Sequence, residues 1–198
     1  MTSTSRRWRS IRPLVMEDTV RGVREIETRD IALAGLLAAM YVVVVTTLQP
    51  ISFLESQIRV ADALLPLSII FGWPAIVGLT LGTVIANSTS PFGAIDIGGG
   101  TLANFLATYA AWKIGSRGFR GSWITAIIAQ NLLVTVVVGS YLSYLIGLPL
   151  EITLVGVFIG SLIAMNLVGY MLLRAVHLRL KKSKLAKFLL SKPRHQPA

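Results

Sequence analysis

Residues 57–107 read QIRVADALLPLSIIFGWPAIVGLTLGTVIANSTSPFGAIDIGGGTLANFLA, and the fold turns on how this stretch is understood. It is apolar enough to sit in a membrane, yet it carries Arg59, Asp62, Asn87, Asp96 and Asn104. Ionisable and amide groups are costly in a bilayer core and mark a ligand or ion site by default. The stretch therefore points to a small-molecule pocket built inside a bundle of membrane helices.

Composition supports that reading. The chain has 198 residues, 54% of them hydrophobic, and a mean hydropathy of +0.68, values of a polytopic membrane protein rather than a soluble domain. Only Glu55, Arg59, Asp62, Asp96, Lys113, Arg117, Arg120 and Glu151 are charged between residues 31 and 173. The net charge of +10 belongs to the two tails and one loop. Basic clusters beside apolar spans fit the cytoplasmic-side rule better than nucleic-acid binding. With no cysteine, disulfides, thiolate catalysis and sulfur-ligated metal are excluded. His177 and His195 lie far from any acid cluster, so neither a metal site nor a cofactor is expected.

Outward from the opening stretch, the spacing predicts an all-α integral membrane protein with a six-helix membrane domain over 31–173. Residues 1–30 form a polar tail that lacks the apolar core of a signal peptide. Within it, residues 20–30 could form a surface helix, with Trp8 as an interfacial anchor. The first span, about 31–48, is uncharged, and its small residues recur four apart, Ala34 with Ala38 and Gly35 with Ala39. Such a strip lets another helix approach, within the bundle or from a partner. Gln49-Pro50 ends it. A second span at 58–71 and a third at 74–86 are divided by the turn Gly72-Trp73-Pro74. Asn87–Gly99 is expected as a polar loop, followed by spans at 100–114, 123–146 and 152–173 and a basic tail at 174–198.

Six spans place both termini on one side. The N-terminal arginines, the 113–120 turn and the C-terminal lysines share that side, whereas the other side holds only Arg59. The asymmetry puts both tails in the cytoplasm and the polar groups of the opening stretch at the outer face.

No nucleotide-binding or catalytic motif is present. There is no GxxxxGK[ST], and Gly98-Gly99-Gly100 lacks the strand and lysine of a phosphate cradle, so these glycines read as places of close backbone approach. A membrane enzyme would need a nucleophile–base pair or a metal cluster, and none is seen. A polar heterocycle fits better. Asn offers both donor and acceptor and Asp two acceptors, while Phe53, Phe92, Tyr141 and Tyr144 could stack on a ring. Arg59 and Asp62, three apart, fit either a local ion pair or ligand recognition. Asn87 could instead cap its helix and Asn104 bridge helices. Gln130 and Asn131, mid-span, indicate a polar interior.

The strings IRVADALLPL, PAIVGLTLGTVIAN and PFGAIDIGGGTLAN resemble the QueT family, substrate-binding (S) components of energy-coupling factor (ECF) transporters. The likeness is densest over 57–107 and extends more weakly to Asn131 and Gly160. Two positions depart from the family pattern: Asp62 stands where Glu is usual, and Ser161 where an acid often follows the glycine. The resemblance implies a multi-pass cell-membrane subunit without ATPase activity, which joins a transmembrane coupling protein and two cytoplasmic ATPases. It implies a queuosine precursor, a 7-deazaguanine, as substrate. The expected substrate-binding residues are Arg59, Asp62, Asn87, Asp96, Thr101, Asn104 and Asn131, and the docking strip maps onto Ala34 and Ala38. The rival readings are an S component for another vitamin or nucleobase, and a self-sufficient secondary transporter. The latter would show an inverted three-plus-three repeat, and none is evident.

Overall fold

The structure is a computed structural model, and it describes residues 27–48 and 59–182. The expectations for Trp8, Gln49-Pro50, Phe53, Glu55 and His195 lie outside the described residues. Among the described residues the chain is helical, without strands. Helix α1 is Thr28–Thr47. A 3₁₀ segment, Val60–Leu67, runs into the single turn α2, Ser68–Phe71. Then follow α3 (Trp73–Asn87), α4 (Gly93–Gly115) and α5 (Ser122–Ile146). Helix α6 (Leu150–Ser161), a π segment (Leu162–Gly169) and α7 (Tyr170–Lys182) form one continuous rod.

Among the described residues, three helical stretches are long and apolar enough to cross a membrane: Thr28–Thr47, Ser122–Ile146 and Leu150–Lys182. Val60–Phe71 and Trp73–Asn87 are shorter apolar helices. The protein is thus a helical membrane protein. Its outer surface carries Leu36, Leu81, Ile85, Leu132, Val136 and Ile159, each more than a third exposed, whereas Arg59, Asp62, Asn87, Asp96, Asn104, Gln130 and Asn131 are buried. Apolar groups outside and polar groups inside is the distribution a lipid solvent selects.

Two expectations about this region are corrected. Within the expected span 58–71, Val60–Leu67 is not an ordinary α-helix but a 3₁₀ segment. Pro66 lies within it, lacks an N–H and would clash with the carbonyl four residues back, so the tighter turn is the available geometry. The 87–99 stretch is not a loop throughout: α4 begins at Gly93, so Asp96 and the three glycines occupy its first turns. In a bilayer a helix satisfies its own backbone even where glycine weakens its propensity. The turn at Gly72 is as read, with φ +62° at Gly72 and Pro74 in the first turn of α3.

Packing follows the small residues. Helix α1 lies along α3, α3 along α4, and α4 along α5, while the 3₁₀ segment packs on the π segment. A Cβ on Gly78 would collide with the backbone of Ala34, and one on Gly82 would lie 2.9 Å from the carbonyl oxygen of Ala38. The Ala34–Ala38 strip therefore seats α3, and both alanines are half-buried, whereas Gly35 and Ala39 are exposed. At the end of the bundle near the Gly72 turn, Trp73, Tyr109 and Trp112 form an aromatic cluster, with Lys113 Nζ 5.0 Å from the Trp112 ring. Such a belt belongs at the membrane–water boundary.

Candidate functional site

Four elements converge at the opposite end of the bundle. Arg59, at the entry to the 3₁₀ segment, reaches α4, where its Nη2 donates to Asp96 Oδ1 at 3.0 Å and Oδ2 at 3.1 Å. From α5, Tyr141 Oη donates to Asp96 Oδ1 at 2.6 Å. From the last turn of α3, Asn87 Nδ2 donates to the Asp96 backbone carbonyl at 2.9 Å. Glycine makes the convergence possible. A Cβ on Gly100 would collide with the Asn87 amide, and one on Gly99 would lie 2.7 Å from the Tyr141 ring. Gly99 and Gly100 are thus places of close approach by neighbouring side chains, whereas a Cβ on Gly98 would meet nothing within 4 Å.

A second network begins one 3₁₀ turn further on. Tyr41 Oη, on α1, donates to Asp62 Oδ1 at 2.9 Å. Asn104 Nδ2, on α4, donates to Tyr41 Oη at 2.9 Å and to Thr83 Oγ1 at 2.8 Å. Thr83 in turn donates to the Leu79 carbonyl at 2.8 Å. Asn104 does bridge helices, joining α1, α3 and α4. Arg59 and Asp62 each reach a different helix, so both bonds tie the 3₁₀ segment to the bundle.

The arrangement leaves acceptors over. Asn87 Oδ1 is buried and has no hydrogen-bond partner among the described residues. Among the described residues only Oδ1 of Asp62 receives a hydrogen bond, and only Nδ2 of Asn104 is engaged. Three oxygens on three elements therefore remain to receive N–H groups, whereas Asp96 is already held by Arg59 and Tyr141.

Of the residues expected to bind substrate, the structure brings together Arg59, Asn87 and Asp96 in one network and Asp62 and Asn104 in the next. Asn131 stands apart. It lies ten residues from Tyr141 along α5, about 15 Å, and bonds instead to Asn166 and Thr135. Thr101 is half-buried, with its hydroxyl unbonded. Tyr41 and Thr83 are central and were not singled out in the sequence. The available signal was Tyr41's position, a lone phenol in an apolar span three residues beyond Ala38. Tyr141, expected as a stacking ring, contributes its hydroxyl. Among the described residues no group of three His, Cys, Asp or Glu could hold a metal.

A helical membrane protein with a buried polar cluster at one end has the architecture of a small-molecule carrier or receptor. A sequence model of the QueT transporter family matches residues 31–178, most of the chain, and covers every residue of both networks. The chain belongs to the QueT transporter family. It is a membrane transport protein rather than an enzyme. No curated protein and no solved structure matches it significantly.

Proposed function

We propose that the chain is the substrate-capture subunit of an ECF-type importer, and that it binds a 7-deazaguanine queuosine precursor, or a similar donor-rich heterocycle, at the outer face. The observation that carries this reading is the set of uncommitted acceptors, Asp62 Oδ2, Asn104 Oδ1 and Asn87 Oδ1, on the 3₁₀ segment, α4 and α3. A guanine-like edge presents adjacent N–H donors, and a carboxylate flanked by amide oxygens complements it. In this arrangement Asp62, Asn87 and Asn104 read the ring, while Arg59 and Asp96 hold the walls in place.

The orientation rests on charge. Arg117 and Arg120 follow α4 at the aromatic-belt end, and the remaining excess of Lys and Arg lies in the two tails. Six spans with both tails in the cytoplasm satisfy the positive-inside rule and put the polar networks outside. ATP hydrolysis then falls to two partner ATPases, reached through a coupling protein that docks on α1, with Ala34 and Ala38 at the rim of the contact and Gly35 and Ala39 facing the partner.

Calorimetric titration of the purified protein with a 7-deazaguanine is the direct test. Saturable binding that guanine-like rings share and pyrimidines lack is the expected result. Binding of an unrelated vitamin instead would keep the carrier class and replace the substrate. Failure to copurify with any ATPase module, together with uptake by the chain alone, would favour a secondary transporter.

A further inference from the structure

On the far side of α5 a third polar chain runs outward rather than inward. Thr135 Oγ1 donates to Asn131 Oδ1 at 3.1 Å, and Asn131 Nδ2 donates to Asn166 Oδ1 at 3.1 Å. The chain is polarised: each group donates to the next, and it ends on the Asn166 Nδ2 hydrogens, which meet no acceptor among the described residues. Asn166 is half-buried and lines a shallow, open groove with Leu162, Ile163 and Leu167, all three of them substantially exposed. The groove lies on the π segment, Leu162–Gly169, a rare backbone geometry found frequently at functional sites.

The depth of the groove decides what can fill it. Asn131, which holds Asn166, is nine residues into α5, about 13 Å along a helix long and apolar enough to cross the membrane. At that depth acyl chains offer no acceptor, and a free amide is costly. Lipid fills the apolar part of the groove and leaves the amide unmatched. We propose that the groove of the π segment docks a transmembrane helix of a partner protein, one that presents a hydrogen-bond acceptor such as an Asn or Gln side chain at mid-membrane depth. Interhelical amide contacts of this kind drive association in lipid, where apolar packing alone discriminates little. The inference concerns the membrane face and does not depend on the identity of the transported molecule.

The test uses host peptides rather than an unknown partner. The full chain, labelled and reconstituted in phosphatidylcholine vesicles, is mixed with a poly-leucine helix of about 20 residues, either uniform or with one central Asn. Energy transfer is expected to show the Asn peptide binding about tenfold more tightly than the all-Leu peptide. That preference is expected to vanish in Asn166→Leu. It should vanish too in Ile163→Trp, which fills the groove while leaving the Asn131–Asn166 bond in place. Equal binding of both peptides, or a preference that survives in both variants, would overturn the proposal. So would self-association of the wild type across this face, read as cross-linking of Ile163→Cys without peptide, because the occupant would then be a second copy.

Discussion

Tyr141 Oη lies 2.6 Å from Asp96 Oδ1, the same carboxylate oxygen that Arg59 Nη2 approaches to 3.0 Å. Two donors from two elements converge on one buried oxygen, and Asn87 holds the backbone beneath it. Asp96 is therefore the joint that fastens the 3₁₀ segment, α3 and α5 to α4, and its loss should be felt first in the fold.

Asp96→Ala takes from the buried Arg59 guanidinium the carboxylate it meets at 3.0 and 3.1 Å. Removing one partner of a buried pair costs about 3–5 kcal/mol. The expected outcome is a sharply lowered melting temperature in detergent, with weakened ligand binding as a consequence. Arg59→Met combined with Asp96→Ala should recover most of the stability. A double variant as unstable as the single one would show that the ion pair is not what the joint supplies.

Asp62 is the contrasting case, because one carboxylate oxygen is spoken for by Tyr41 and the other receives no hydrogen bond among the described residues. Asp62→Asn replaces one acceptor by a donor. A hydrogen bond to a charged group is worth about 1.5–3 kcal/mol, roughly a 10- to 100-fold loss of affinity for a 7-deazaguanine. Titration calorimetry measures it, and the melting temperature should change far less than in Asp96→Ala. Tyr41→Phe frees Asp62 Oδ1 and removes one of the two acceptors of Asn104 Nδ2, and should weaken binding in the same direction. Unchanged affinity in both variants would remove Asp62 from the recognition surface.

Gly78 and Gly35 offer a paired test of how α1 is seated. A Cβ at Gly78 meets the backbone of Ala34, whereas one at Gly35 meets nothing within 4 Å. Gly78→Ala should destabilise by about 1–3 kcal/mol through overpacking, seen in thermal melts. Gly35→Ala should be close to neutral for the isolated chain. If Gly35→Ala nevertheless impairs assembly with a coupling protein, the outward face of α1 is the docking face.

Gln130 is wholly buried in α5, with neither amide atom hydrogen-bonded. An unsatisfied buried polar group costs about 1–3 kcal/mol, so Gln130→Leu should raise the melting temperature. A lower one would mean that the amide is matched by internal water.

The turn at Gly72-Trp73-Pro74 shows what local chemistry dictates. Gly72 needs no side chain at φ +62° and Pro74 suits a first helical turn, so the break between two apolar runs is legible in the letters alone. Hydropathy likewise marks α1, α5 and the long final rod as spans. The start of α4 was not legible, because NSTSPFGAIDIGGG has the composition of a loop. It becomes helix because the bilayer forbids unsatisfied backbone and because the glycines let Asn87 and Tyr141 close on it.

The same division runs through the site. By itself the sequence determined that polar groups would sit in a membrane interior and which side chains carried them, since a charge in an apolar run is conspicuous wherever it lies. It could not determine who pairs with whom. Arg59 and Asp62 are three residues apart, yet Arg59 reaches Asp96 and Asp62 reaches Tyr41, 21 residues back on another helix. Asn131, equally polar, faces away towards Asn166. Those choices depend on helix rotation and on the glycine contacts that set how closely helices approach. Only the packed bundle decides them.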